Sequence, residues 1–139
     1  MRSYVKKKDH QKFADLVTDW IRLYGRDDPG CMYDLIVDTQ FGELGIRVER
    51  PNDSFRTQSV NVYGRLLETD KDKLRSAALY LGGNPYSGKW NAHYRRIDFD
   101  QDGPAGCAKN FMDRLRWAIG GEAAKDIPGA AEVETEELI

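Results

Sequence analysis

A glycine-rich stretch in the second half of the chain has the outline of a phosphate-binding loop. Gly83 is followed, after four residues, by Gly88 and Lys89, as in the nucleotide-binding pattern GxxxxGK followed by Ser or Thr. That pattern requires a hydroxyl residue where this chain has Trp90, and it leads from a strand into a helix N-terminus. Because the hydrophobic spacing predicts a helix before the loop and a strand after it, we expect an Asn-Pro turn and no nucleotide site.

A second stretch, residues 98–103, has the sequence DFDQDG and looks like the beginning of a calcium-binding loop. Its alternating carboxylates could converge on a cation, and Gly103 could make the sharp turn that such a loop needs. The twelfth position should be a bidentate glutamate but is Lys109, and no helix is predicted before the stretch. We therefore expect a solvated acidic loop without a tight calcium site.

Groups that could perform catalysis are few. His10 and His93 lack zinc-ligand spacing, and no activating base can be identified for Cys31 or Cys107, so both cysteines are predicted to be reduced thiols. Four acidic residues fall on neighbouring predicted strands: Asp34, Asp38, Glu43 and Glu49. The Glu-x-Lys pattern of a nuclease site does not follow them. We expect a protein that is not an enzyme and that holds no metal and no cofactor.

Basic and aromatic residues are predicted to share the polar face of a sheet. Strand alternation places five side chains on the face away from the helices, and two residues of the glycine-rich loop flank them. The five are Arg47, Tyr63, Arg65, His93 and Arg95, and the flanking residues are Tyr86 and Lys89. Such a group suits an acidic protein surface or single-stranded nucleic acid. The alternative is an ordinary solvated face, because the four acidic residues dilute the charge.

Hydrophobic periodicity predicts the elements that position this face. Residues 11–25 carry apolar side chains at three- and four-residue spacing, which indicates a helix that stops at Gly25. Three strands, a helix, a fourth strand and a last helix are predicted after it: residues 32–39, 42–50, 59–68, 69–82, 89–94 and 104–120. Tyr33 is placed on the same face as Leu35 and Val37, and the second helix opens with a capping box of Thr69 and Asp72.

The order α-β-β-β-α-β-α predicts an α+β fold, in which helices pack on one face of an antiparallel four-stranded sheet. The predicted core contains Trp20, Leu44, Ile46, Val60, Val62, Trp90, Phe111 and Leu115. Residues 1–120 are expected to form a single domain, and residues 121–139 an acidic, flexible tail.

Composition excludes a global attraction to polyanions. The 139 residues include 21 basic and 23 acidic side chains, so the formal net charge is −2, and any nucleic-acid role needs a local basic patch. No stretch approaches the roughly 20 apolar residues of a membrane span. We expect a cytoplasmic protein without a membrane partner.

Residues 84–91, NPYSGKWN, resemble a motif of small uncharacterised proteins from bacteriophages and other mobile elements. Those proteins also carry a TRFGxL-type hairpin, similar to TQFGEL at residues 39–44, and a helix with an aromatic residue and leucines, similar to CAKNFMDRL at residues 107–115. The resemblance covers most of residues 33–119. It implies a mobile-element context and carries over no activity and no catalytic residue.

Three functions are compatible with these observations. The first is a non-enzymatic binding protein of phage or mobile-element origin, an inhibitor of a host defence nucleoprotein such as a CRISPR or restriction complex. The second is a nucleic-acid-binding module that uses the open sheet face. The third is a metal-dependent nuclease. The sequence sets neither the identity of the partner nor the oligomeric state.

Overall fold

The computed structural model describes residues 4–81 and 88–120, in three helices and five strands. The helices are α1 (Lys7–Arg22), α2 (Lys71–Leu81) and α3 (Arg96–Ile119). The strands are β1 (Gly25–Arg26), β2 (Leu35–Thr39), β3 (Gly42–Val48), β4 (Ser59–Leu66) and β5 (Lys89–Arg95). Tyr86 and the predicted tail lie outside the described residues. None of the described helices is long and apolar enough to cross a membrane.

The five strands form one antiparallel sheet in the order β1-β2-β3-β4-β5. The predicted α+β class with an antiparallel sheet is confirmed, but the prediction of four strands is wrong, because Gly25 and Arg26 pair with Val37 and Ile36 of β2. Gly25 therefore begins β1, and α1 ends earlier, at Arg22. A two-residue strand shows no alternation of apolar and polar residues, so periodicity could not indicate it.

The inner face of the sheet and the helices enclose the core. Leu44, Ile46, Val60 and Val62 point to the inner face of the sheet and are fully buried, as predicted. Trp90, Phe111 and Leu115 are also buried, and the rings of Trp90 and Phe111 stack with centroids 5.6 Å apart. Trp20 corrects the predicted core, because its side chain is only half-buried against the core.

The acidic stretch 98–103 was predicted to be a solvated loop, and this prediction is wrong. Residues 96–102 form the first turns of α3, and the helix kinks at Gly103, where φ is 70° and ψ is 173°. The Asp98 carboxylate accepts a hydrogen bond from the Arg95 N–H at 2.7 Å, so it satisfies one donor at the helix start. Phe99 is buried and meets Phe13 edge-on at 5.7 Å, which fixes these turns against α1.

The start of α2 also differs in detail from the prediction. Asp70, rather than Thr69, lies at the N-cap. Its carboxylate accepts hydrogen bonds from the backbone N–H groups of Asp72 at 2.9 Å and Lys73 at 3.2 Å. The Glu68 carboxylate accepts from the N–H groups of Thr69 and Asp70 just before it. Two acidic side chains on either side of Thr69, those of Glu68 and Asp70, therefore hold the chain between β4 and α2.

Candidate binding face

Six of the seven predicted binding residues lie on the described strands, and all six have exposed side chains. We call this group the basic face: Arg47, Tyr63, Arg65, Lys89, His93 and Arg95. Strand register brings them together, since directly opposed residues point to the same side of a sheet. Arg47 opposes Tyr63, and Arg65 opposes Lys89. The basic face lies on the side of the sheet opposite the buried core residues.

Tyr63 lies at the centre of the basic face. Its side chain is 44% exposed, and it opposes Arg47 on β3 and Asn91 on β5. Arg65 is two residues further along β4 and projects to the same side. An exposed phenol ring is thus flanked by two guanidinium groups, which can contact a partner together with it.

A row of hydrogen bonds crosses the face from β3 to β5. The amide of Asn61 donates from Nδ2 to Glu49 Oε2 at 3.1 Å, and the Asn61 backbone N–H donates to the same oxygen at 2.9 Å. This orientation turns Asn61 Oδ1 towards His93, whose Nδ1 lies 2.7 Å away. Because Oδ1 can only accept, His93 Nδ1 carries the proton and donates it. His93 is therefore held in one orientation, with Nε2 directed away from Asn61.

The four acidic residues that could dilute the charge all have partners within the sheet. Arg26 forms ion pairs with Asp38 at 3.1 Å and Glu43 at 2.9 Å, and these carboxylates raise the pKa of the Arg26 guanidinium. The Asp34 carboxylate accepts a hydrogen bond from the Val48 N–H at 2.7 Å. Glu49 is held by Asn61, as described above.

The arginines at the centre of the basic face have no comparable partners. Within the described part of the chain, Arg47 and Arg65 form no ion pair and no side-chain hydrogen bond. The acidic side chains are thus concentrated on β2, β3 and the residues that flank them, and Arg26 compensates part of their charge. The basic side chains extend from β3, in the middle of the sheet, to β5 at its edge. A solvated surface would intersperse the two signs, so this separation favours a binding surface.

A groove of roughly 680 Å³ continues the basic face at the end of β4. Its lining includes Arg65, Lys71, Lys89, Leu67 and Leu74, and also Glu68, whose carboxylate is paired with Lys73 at 3.6 Å. Leu67 is 42% exposed and supplies apolar contact area beside three basic side chains. Sequence reasoning missed Leu67 and Lys71. The signal for Leu67 was its position next to Leu66, since adjacent residues of an extended chain point to opposite faces.

Tyr33 also contributes to the open side of the sheet, contrary to the sequence prediction that grouped it with Leu35 and Val37. Its ring covers Gly45 on the open side: a Cβ atom at Gly45 would lie 2.4 Å from Tyr33 Cδ2. The loop before β2 is held by the Asp28 carboxylate, which accepts from the N–H groups of Tyr33, Gly30 and Met32. These hydrogen bonds lower the pKa of Asp28, and the one from the Tyr33 N–H has the largest effect.

The cysteines offer little reactive chemistry. Cys107 is fully buried, and burial raises the pKa of its thiol to about 12, with Asp102 and Asp98 adding to the effect. A thiol with this pKa stays protonated near neutral pH and is a poor nucleophile. Cys31 is exposed, with a positive φ of 56°. Within residues 4–81 and 88–120, no group of three or more His, Cys, Asp and Glu side chains is arranged to hold a metal ion.

No protein-family model matches this chain, and neither the curated proteins nor the solved structures that were compared with it yield a match. The relation to mobile-element proteins, predicted from the NPYSGKWN motif and its two flanking segments, stays a prediction.

Proposed function

We propose that this chain is a non-enzymatic binding protein that uses the basic face to occupy an acidic surface of a protein partner. The observation that carries the proposal is the arrangement of Arg47, Tyr63 and Arg65, in which an exposed ring is flanked by two guanidinium groups that form no ion pair with any described residue. Arginine forms forked hydrogen bonds with carboxylates, and tyrosine offers a rigid contact area with a polar tip. Both residue types are enriched among the residues that dominate binding energy.

Electrostatics favour an acidic partner over a neutral one. Desolvating an unpaired guanidinium costs free energy unless a partner replaces the lost water with hydrogen bonds and opposite charge. A carboxylate-bearing surface supplies both. The basic side chains also speed the encounter with such a surface, although the net charge of the chain is −2, because local rather than total charge acts within a Debye length of about 8–10 Å.

The resemblance to small bacteriophage proteins supplies the context of the proposal. Such accessory proteins often act by binding a host machine and blocking it, without chemistry of their own. We therefore propose that the partner belongs to a host nucleoprotein complex, including defence complexes of the CRISPR or restriction type, and that the encounter takes place in the cytoplasm.

Single-stranded nucleic acid is the second candidate ligand. It is favoured by the position of Tyr63 between two arginines, since an exposed ring beside basic groups can stack a base and bind its phosphate. Two features weigh against it. Among the described residues of the basic face only Tyr63 and His93 present rings, and His93 is held by Asn61. The acidic side chains around β2 and β3 would also repel a nucleic-acid backbone that crosses the sheet.

Affinity capture from a bacterial host lysate, with and without nuclease treatment, tests the class of partner. We expect the immobilised protein to retain a host protein after nuclease treatment, because the proposed contact is made to carboxylates. Loss of every captured protein on nuclease treatment, together with a shift of labelled single-stranded oligonucleotides by the pure protein, would support the nucleic-acid module instead. Magnesium-dependent cleavage of those oligonucleotides would contradict both binding functions and support a nuclease.

A further inference from the structure

Strand β5 forms one edge of the sheet, and its hydrogen bonding determines which backbone groups that edge presents. The Leu66 N–H donates to the Gly88 carbonyl at 2.9 Å. Because bonded pairs alternate with non-bonded pairs in an antiparallel ladder, the even-numbered residues of β5 point their N–H and C=O groups towards β4. Asn91 and His93 therefore point theirs outward, and the described part of the chain provides no hydrogen-bond partner for them. This edge can pair with one more strand.

The two sides of this edge differ in charge. His93 and Arg95 lie on the basic face, together with Lys89 at the start of the strand. On the opposite side, a groove of roughly 450 Å³ lies between β5 and α3. The lining of this groove includes three carboxylates and one guanidinium group, those of Asp98, Asp102, Asp113 and Arg114. The edge is thus basic on one side and net acidic on the other.

These charges select the sequence of a strand that adds to the edge. Successive side chains of a strand point to opposite sides, so residues next to the basic face alternate with residues next to the groove. A uniformly acidic segment would bring half of its carboxylates near Asp98 and Asp102, and a uniformly basic one would meet Lys89 and Arg95. The best fit is a segment in which acidic side chains alternate with basic ones.

The same charges disfavour a second copy of β5 as the occupant. Antiparallel pairing of two β5 strands about a two-fold axis at Ala92 would set Lys89 of each copy opposite Arg95 of the other. Basic side chains on an edge strand keep identical edges apart in this way. They attract a strand that presents carboxylates to the basic face, which makes a segment of another protein the better occupant.

We propose that the outer edge of β5 binds an extended segment of the partner protein as an additional strand, antiparallel to β5 and about as long as its seven residues. The acidic side chains of the segment lie next to His93 and Arg95, and its basic side chains lie over the groove. Main-chain hydrogen bonds to Asn91 and His93 supply affinity, and the alternating charges determine which side of the segment meets the basic face. That the occupant belongs to a protein rests on the proposed function.

Amide hydrogen exchange of the full chain, followed by NMR at low salt, tests this docking with a synthetic peptide. The probe is EKEKEKE, acetylated and amidated at its ends, at millimolar concentration. We expect it to slow exchange of the Asn91 and His93 N–H groups at least about fivefold. The matched control EEEEKKK has the same composition but places like charges on both sides, so it should leave these rates within about twofold. The Ala92 N–H, which points towards β4, is the internal reference for a general change in stability.

A second pair of peptides tests the backbone pairing at constant charge. In an antiparallel ladder, the residues opposite Asn91 and His93 turn their N–H groups towards β5, and these residues are glutamates because they share the side of the basic face. N-methylation of the two central glutamates removes these donors and should abolish the slowing. N-methylation of two lysines, whose N–H groups point away from β5, should preserve it.

Three results would overturn the proposal. The first is equal exchange of the Asn91 and His93 amides with and without EKEKEKE. The second is equal slowing by both N-methylated peptides, because the contact would then be electrostatic only. The third is slow exchange of these amides in the protein alone, because the edge would then already be covered.

The peptide experiment and the proposed function can fail separately. Docking of EKEKEKE without capture of any host protein would contradict the proposed function and leave the strand pairing in place. A captured host protein that binds through Tyr63 and Arg65, together with unchanged amide exchange in the peptide experiment, would remove only the strand pairing.

Discussion

At the scale of single residues, the contact between Gly64 and Trp90 determines how the outer half of the sheet packs. The two residues oppose each other on β4 and β5, and a Cβ atom at Gly64 would lie 2.0 Å from the indole ring. The absent side chain lets the ring lie across β4 and reach Phe111 of α3. One glycine and one large aromatic residue thus join the sheet to the helix layer.

Replacing Trp90 with alanine should lower the free energy of unfolding by about 3–5 kcal/mol, because the indole is 6% exposed and its loss leaves a cavity above Gly64. Urea denaturation of the purified variant measures the change. Trp117→Ala is the matched control: that ring is 62% exposed, and its loss should change stability by no more than about 0.5 kcal/mol. Similar effects of the two substitutions would contradict the description of the core.

His10 should make stability depend on pH. Its side chain is buried, with Nε2 2.9 Å from the Glu49 carbonyl and no partner for Nδ1 among the described residues. Burial lowers the pKa of His10 below its ordinary value of 6.5, against weaker opposing effects of Glu49. The stabilisation that neutral His10 provides is therefore complete above pH 6.5, and it is lost as the pH falls from there through the lowered pKa.

We expect the free energy of unfolding of the parent to decrease between about pH 7.5 and pH 5.5, and the His10→Gln variant to show a smaller decrease over the same range. Urea titrations at both pH values provide the comparison. His93→Gln is the control for the loss of a histidine, because it replaces the other histidine of the chain at an exposed position on the basic face. An identical decrease in the parent and His10→Gln would show that other groups cause it.

At the scale of secondary-structure elements, the kink in α3 depends on one backbone conformation. Gly103 has φ 70° and ψ 173°, a region that side-chain-bearing residues rarely adopt, and a Cβ atom there would meet nothing within 4 Å. Gly103→Ala should therefore destabilise the fold by about 1–3 kcal/mol through backbone strain alone. Gly30→Ala, at an exposed position without a positive φ, should change the midpoint of urea unfolding little. Equal midpoints for parent and Gly103→Ala would show that the kink tolerates a side chain.

The elements also show what the sequence could and could not predict. The alternation in β3 and β4 correctly indicated Leu44, Ile46, Val60 and Val62 as buried, because one face of each strand is apolar. The sequence did not predict the first turns of α3. Their acidic residues are typical of loops, and the contact that makes the stretch helical is a distant one, between Phe99 and Phe13 of α1.

The basic face could be predicted from the sequence for the same reason as the core. Alternation assigned Arg47, Tyr63 and Arg65 to the polar side, and the register of the sheet then brought them together. The pairing of Arg26 with Asp38 and Glu43 could not be predicted, because it depends on β1. Without this pairing, the sequence predicts that the acidic side chains dilute the charge of the whole face rather than of one half of it.

At the scale of the whole molecule, a nearly balanced composition conceals two charged regions. The formal net charge is −2, yet residues 1–121 carry an excess of three basic side chains, and residues 122–139 an excess of five acidic ones. Within the sheet, the signs are separated again between the strands around β2 and those around β5. Because the long-range field is weak, we expect little attraction to nucleic acid in general, and the proposed contact with an acidic surface depends on local charge.

The most direct test of the basic face is to compare the binding of the captured host protein by the parent and by the double variant Tyr63→Ala, Arg65→Ala. Calorimetry with the purified partner should show binding weakened by about 1–3 kcal/mol for each side chain that dominates the contact. The unfolding temperature should stay nearly unchanged, because both side chains are exposed. The control Tyr4→Ala, Arg56→Ala removes a cation–π pair outside the sheet and should bind as the parent does. Equal affinity of the parent and the Tyr63, Arg65 variant would contradict the account, since the interface would then lie elsewhere on the molecule.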